Sequence, residues 1–190
     1  MILADCAIAE AIEKKRIIVD PVPDIGQIAP SALDLRVGHD FLRWKKSKTG
    51  INLSFRLSEV KIPEYGDYCE PVLPDRDGLV TIHPGEFVLG NTLEYVSLPY
   101  KSKLAARIEG RSSYARLGLV VHMTAPTIHC GFVGTITLEM MNFGEHDLQI
   151  DPGKTCICQL IFEKLNCAPK GKLKTTFLGQ SSILGDKKRK

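Results

Sequence analysis

The spacing of apolar residues changes period once along this chain, near its start. In DCAIAEAIEKKR, Ile8 and Ile12 stand one turn apart, behind Asp5 and ahead of paired lysines. That pattern predicts one short amphipathic helix with Asp5 as its N-cap. From there on the period is two. Residues 17–22 predict a strand ended by prolines, and in IAPSALDLRVGHDF (28–41) Leu33, Leu35 and Val37 alternate with Asp34 and Arg36, as in a half-buried strand. Order dissolves over 42–77 into lysines, prolines and glycines, which predicts a peripheral excursion that still hides some strand structure. Alternation returns at Gly78: VTI, EFVLG, LEYVSLP, KSKLAARIEG, LGLVVHM, TITLEMMNF, HDLQI and TCICQLIFEKL predict strands, with HPGE, GN and DPG as turn signals. Many short strands at this spacing imply a mainly β sandwich or barrel.

The 190 residues suffice for one domain with a sizeable core. The pattern divides them into a β domain over 1–165, which includes the helix and the 42–77 excursion, and an arm over 166–190. No apolar run approaches the roughly 20 residues of a membrane span, so no membrane partner is expected. The N-terminus has no secretory or transit pattern, which makes a cytoplasmic location the expectation. Six cysteines scattered through such a chain read as reduced thiols. The net charge of +3 is unevenly spread: Lys164, Lys170, Lys172, Lys174 and the KKRK terminus make the tail strongly basic and leave the body mildly acidic. Without interleaved aromatic residues this tail does not predict nucleic-acid binding.

Candidate chemistry concentrates between Glu109 and Asn142. If 135–142 is a strand, Ile136, Leu138 and Met140 face one side, while Thr135, Thr137, Glu139 and Met141 face the other. Glu139 is then a solvated acid, a hydrogen-bonded structural acid or the base of a pocket. Upstream, EGRSS sets Ser112 and Ser113 between Arg111 and Arg116 after a glycine, a combination suited to phosphate oxygens and equally to a polar loop capping a short helix. His122 lies in apolar LVVHM and reads as a satisfied core or wall residue; His129, before Cys130-Gly131, is placed to face a ligand. The zinc deaminase signature is absent, as are a Walker A sequence and a G-x-S-x-G elbow. Cys156 and Cys158, two apart on a strand, read as core residues.

Together, IAPSALDLRVG (28–38), GRSSYARLGL (110–119), VHMTAPTI (121–128), GFVGTITLEMMN (131–142) and DPGKTCICQLIFE (151–163) resemble the dCTP deaminases of the trimeric dUTPase-like superfamily. The resemblance runs from the opening helix to the FLGQ at 177–180. It implies a distorted β-barrel with a short N-terminal helix, assembled as a homotrimer whose active sites lie between subunits and are closed by C-terminal arms. It also implies hydrolytic deamination of a deoxycytidine nucleotide, dCTP, to dUTP and ammonia, with Glu139 as general acid/base on a water that Ser112 and the Ala125 carbonyl orient, and with Arg116 essential. Arg111, Ser113 and Gln180 fall at triphosphate positions, Thr137 and Leu138 at backbone contacts, and Gln159 at a further contact. Thr124 and Thr176 are counted with them, and Phe132 holds the aromatic position that packs on deoxyribose and excludes ribose. The implied cofactor is magnesium carried by the triphosphate, with no zinc and no protein metal site. His129 stands where family members usually have an aspartate associated with the 3′-hydroxyl, and the arm lacks the family's tyrosine, with Thr176-Phe177 in place of a lysine–tyrosine pair. Two alternatives accompany this reading: a bifunctional enzyme that continues to dUMP and diphosphate, and a catalytically silent nucleotide-binding trimer.

Overall fold

A computed structural model describes residues 1–46, 54–173, 179, 183 and 184. The elements in order are α1 (Asp5–Glu13), β1 (Ile18–Asp20), β2 (Ile28–Ala29), β3 (Ala32–Trp44), β4 (Cys69–Pro71), β5 (Val80–Ile82), β6 (Phe87–Thr92), β7 (Tyr95–Ser97), β8 (Leu104–Gly110), α2 (Ser112–Ala115), β9 (Leu119–Val120), β10 (Thr127–Ile128), β11 (Val133–Gly134), β12 (Thr137–Asn142), β13 (Leu148–Ile150) and β14 (Cys156–Lys164). Short 3₁₀ turns separate some of them. The main sheet runs β10-β8-β14-β3-β6-β12-β9, with β2 and β4 paired to β3. It curls into a distorted, incompletely closed barrel; β1-β7-β11 and β13-β5 form two smaller sheets beside it.

The long strand β3 makes this curl possible. Its first part, Leu33–Arg36, pairs with β14, then Val37–Leu42 pairs with β6 across an irregularity, and Leu42–Trp44 pairs with β4. The bend carries Gly38, where a Cβ would lie 2.5 Å from Asn91 Oδ1, so any side chain there would force the buried Asn91 to shift. The expectation of a half-buried strand is corrected: Ala32, Leu33, Asp34 and Leu35 are all buried, because polar networks cover the face that alternation assigned to solvent. The helix is present, but Ala4 caps it; Asp5 sits in the first turn and accepts the N–H of Cys6. LGLVVHM holds a strand of only two residues, since the chain leaves β9 after Val120 to cross towards β10. The excursion does hide structure: β4 and two 3₁₀ turns lie within it, while 47–53 fall outside the described residues. Among the described residues, no helix is long and apolar enough to cross a membrane.

One apolar core holds the barrel together, with Ile8 of α1, Leu33 and Leu35 of β3, Leu138 and Met140 of β12 and Leu160 and Phe162 of β14 fully or nearly fully buried. Each such side chain contributes roughly 1.5–3 kcal/mol on leaving water. Inside this core lies Glu94, completely buried. Its Oε1 accepts Arg36 Nε at 2.7 Å and Gln27 Nε2 at 3.1 Å, and its Oε2 accepts the Arg36 backbone N–H at 2.8 Å. Removing one partner of such a pair strands the other without compensation. Glu94→Ala is therefore expected to cost about 3 kcal/mol, read as a lower urea midpoint at unchanged slope.

On the surface, the Asp147 carboxylate hydrogen-bonds His83 Nδ1 at 2.8 Å and raises the histidine above its ordinary value. Because the folded pKa is the higher one, this pair supports the fold below the unfolded histidine pKa, and that support is lost as pH rises through the folded value. Asp147→Asn should lower the His83 midpoint in an NMR titration towards the ordinary 6.5; an unmoved midpoint would show the pair to be ineffective.

Candidate active site

Strand β12 presents the acid. Its burial alternates without exception, with Leu138, Met140 and Asn142 inside and Thr137, Glu139 and Met141 on the other face, as its period-two pattern predicts. Register sets Glu139 opposite Leu89 and Thr137 opposite Asn91 on β6. Asn142 anchors the end of the strand: its Nδ2 donates to the Ile82 and His146 carbonyls, and its Oδ1 accepts the Gly144 N–H. Since β9 ends on one edge of the main sheet and β10 begins on the other, residues 121–126 must cross the gap between those edges. That crossing brings Met123, Thr124 and Ala125 over β12, where the Met123 N–H donates to Glu139 Oε2 at 3.1 Å.

Glu139 lies at a cavity of about 530 Å³ whose walls include Thr124, Ala125, Phe132, Thr137, Leu89 and Trp44. The volume and the mostly apolar wall with a few polar groups suit a small organic ligand. Ile183 and Leu184 also reach this wall; both are buried, and Thr137 Oγ1 donates to the Ile183 carbonyl at 3.1 Å.

Phe132 arrives through a tight turn. Its N–H donates to the His129 carbonyl at 3.0 Å across Cys130-Gly131, with Gly131 at φ +93°. That backbone region favours glycine, and a methyl group at 131 would also overlap the Tyr100 ring. His129 itself is exposed at the end of β10.

The basic and hydroxyl-bearing residues form a separate group. Glu109, Gln159 and Asp34 stand side by side on β8, β14 and β3. The Asp34 carboxylate, only 8% exposed, accepts Gln159 Nε2 at 2.9 Å through Oδ1 and pairs with Arg111 Nη1 through Oδ2. Arg111 is also the residue before α2, with its guanidinium 5.9 Å from the Tyr114 ring centroid. Ser112, Ser113 and Arg116 lie exposed on and just after that single helical turn.

The sequence-derived residues thus fall into two sets. Glu139, Thr124, Ala125, Phe132 and Thr137 share the cavity, whereas Leu138, between Thr137 and Glu139, turns its side chain into the core. Arg111, Ser112, Ser113, Arg116, Gln159 and His129 do not line that cavity within the single chain. Thr176 and Gln180 lie outside the described residues. The reading of His122 as a satisfied residue is corrected: its Nδ1 is buried with no hydrogen-bond partner among the described residues. Asp34, the partner that orients Arg111, went unassigned; the signal for it was an acid set directly between Leu33 and Leu35. All six cysteines are free, and burial pushes the Cys158, Cys69 and Cys130 thiols up, away from the reactive thiolate form.

Comparison with known proteins supplies the class. The model of the dCTP deaminase-like family matches residues 2–165. A protein of Methanobrevibacter smithii named "dCTP deaminase, dUMP-forming" is 41% identical over 165 residues, covering 86% of this chain and 80% of that protein. A Haloarcula marismortui protein named "dCTP deaminase" is 41% identical over 167 residues, covering 87% and 81%. The crystal structure of 2'-deoxycytidine 5'-triphosphate deaminase from Agrobacterium tumefaciens is similar in fold, with a TM-score of 0.62 at 21% identity over 85% of this chain; the match spans 47% of the crystallised chain. The chain belongs to the dCTP deaminase-like family.

Gly131→Ala should destabilise the protein by about 2 kcal/mol from backbone strain alone, with ring overlap adding to it. Urea unfolding measures the loss, and an unchanged midpoint would contradict the turn geometry.

Proposed function

We propose that this protein catalyses the hydrolytic deamination of dCTP, with Glu139 as general acid/base. The observation that carries the reading is a carboxylate held by the Met123 N–H at the wall of a largely apolar cavity, beside Thr124, Ala125 and Phe132. Relatives at 41% identity named for dCTP deamination support the substrate. In this scheme Glu139 takes a proton from water as its oxygen bonds to C4 of cytosine, and delivers that proton to N3. The tetrahedral carbon then bears both a hydroxyl and the amino group. Glu139 next carries the hydroxyl proton to the amine; the C4–N bond breaks, ammonia leaves, and the C4 carbonyl of the uracil product forms. The Ala125 carbonyl and Ser112 orient the water, Phe132 packs on the sugar, and the backbone of Thr137 and Leu138 meets the nucleotide.

Ser112 and Arg116 do not reach the cavity of their own chain, and this supports a homotrimer in which one subunit's α2 region completes the Glu139 site of another. Arg111, Ser113, Gln159, Gln180 and Thr176 are assigned to the nucleotide on the same reading, and His129 to the sugar. Magnesium enters with the triphosphate. Mg²⁺ at nucleotide sites is commonly held by phosphate oxygens and waters with one or two carboxylates. Zinc has no part in the proposal. A cytoplasmic setting accords with six free thiols.

A second reading, deamination followed by hydrolysis to dUMP and diphosphate, is favoured by the name of the Methanobrevibacter smithii relative. His129, where the family's aspartate is usual, weighs against it. Chromatography of the products separates the two, since dUTP accumulates only in the first.

Glu139→Gln should reduce ammonia release from dCTP by about 10²- to 10⁴-fold while leaving the fold intact. Arg116→Ala should also be inactive, and refolding a mixture of the two variants should restore activity that neither has alone. Retained activity in Glu139→Gln would remove the assigned base, and the absence of complementation would remove the shared site.

A further inference from the structure

Tyr100 lies outside the cavity around Glu139, yet three kinds of contact converge on it. Its ring occupies the space that a side chain at 131 would need, so the ring lies directly against Gly131. Its hydroxyl accepts the backbone N–H of Leu173, near the start of the C-terminal segment. Its carbonyl and that of Pro99 face Cys130 Sγ at 3.7 and 4.0 Å. Around these contacts the backbones are tied together: Gly131 N–H donates to the Leu98 carbonyl at 2.7 Å, and Leu98 N–H donates to the Phe132 carbonyl at 2.9 Å. One residue further on, Val133 is paired with Ser97.

The turn from His129 to Phe132 is therefore gripped along its backbone and backed by one aromatic ring. Without that ring, Gly131 at positive φ would be the turn's freest point, since glycine has the widest choice of backbone conformations. Slack at this point would propagate first to Phe132 and His129. Excluding a single extra hydroxyl by steric contact demands close placement of the excluding group, and an apolar pocket is intrinsically poor at rejecting an added hydroxyl.

We propose that Tyr100 is a positioning residue for sugar discrimination: its ring fixes the His129–Phe132 turn and so sets the preference for deoxyribose over ribose nucleotides, while its hydroxyl holds Leu173 beside that turn. The proposal rests on the deaminase reading, in which His129 and Phe132 face the sugar. The two functions of the side chain separate by chemistry. Tyr100→Phe keeps the ring against Gly131 and loses only the acceptor for Leu173, whereas Tyr100→Ala loses both.

The test compares wild type, Tyr100→Phe and Tyr100→Ala by steady-state ammonia release from dCTP and from CTP, and by amide hydrogen exchange without nucleotide. In Tyr100→Phe, the Leu173 amide should exchange faster, the KM for dCTP should rise by a few-fold at constant kcat, and the dCTP-to-CTP preference should hold. In Tyr100→Ala, exchange at 129–133 should accelerate and the kcat/KM preference for dCTP should fall by about tenfold, the scale of a modest pocket discrimination. If Tyr100→Ala does not fold, Tyr100→Leu carries the same measurements. A folded variant without the ring that keeps both the wild-type preference and slow exchange at 129–133 overturns the proposal. Wild-type protein that releases no ammonia from dCTP overturns the deaminase reading, and the sugar role with it. Unchanged preference in a variant of full activity overturns the sugar role alone.

Discussion

The fold depends on one strand changing partners. β3 pairs first with β14 and then with β6, and Gly38 at the bend leaves no side chain between the strand and Asn91. A strand shared in this way forces the sheet to curl rather than lie open, because its two halves pair with different neighbours. The curl brings the edges carrying β9 and β10 within reach of each other, and the chain crosses between them through 121–126. Only that crossing places the Met123 amide over Glu139. A bend at residue 38 thus has its chemical consequence about a hundred residues later.

β3 also carries two charge networks of opposite character. Glu94, Arg36 and Gln27 form an inward network that satisfies a fully buried carboxylate and holds the barrel wall. Asp34, Arg111 and Gln159 form a second network, whose arginine is 31% exposed. Arginine presents several donors in a fixed fork, so pairing with one carboxylate orients the whole group without engaging every N–H. The fully buried network and the partly exposed one thus meet β3 only two residues apart.

Much of this was legible in the order of residues. Alternation in TITLEMMN separated the core face from the Glu139 face, and the structure repeats that division at every position from Thr137 to Asn142. The resemblance carried by GRSSYARLGL and TITLEMMN reached the family that the comparisons show. Long-range pairing was not legible. Asp34 looked solvent-facing because alternation cannot report that Gln159 and Arg111 will cover it, and LGLVVHM looked like a full strand because an edge-to-edge crossing has the same apolar composition as one. Tyr100 carried no signal at all: its importance lies in Gly131, thirty-one residues away, having no side chain. The separation of Ser112 and Arg116 from Glu139 was likewise invisible to spacing, because proximity along β-strands depends on the register of the curled sheet.

The short strands that end the main sheet have a further consequence. β9 and β10 pair over only two residues each, and the chain between them runs across the gap. An exposed sheet margin offers unpaired N–H and C=O groups on which a foreign strand can grow, and brevity is one way to deny it a template. The same crossing that places an amide over Glu139 therefore also keeps the sheet's terminal strands short, so that lengthening β9 or β10 would extend the template they offer to a foreign strand.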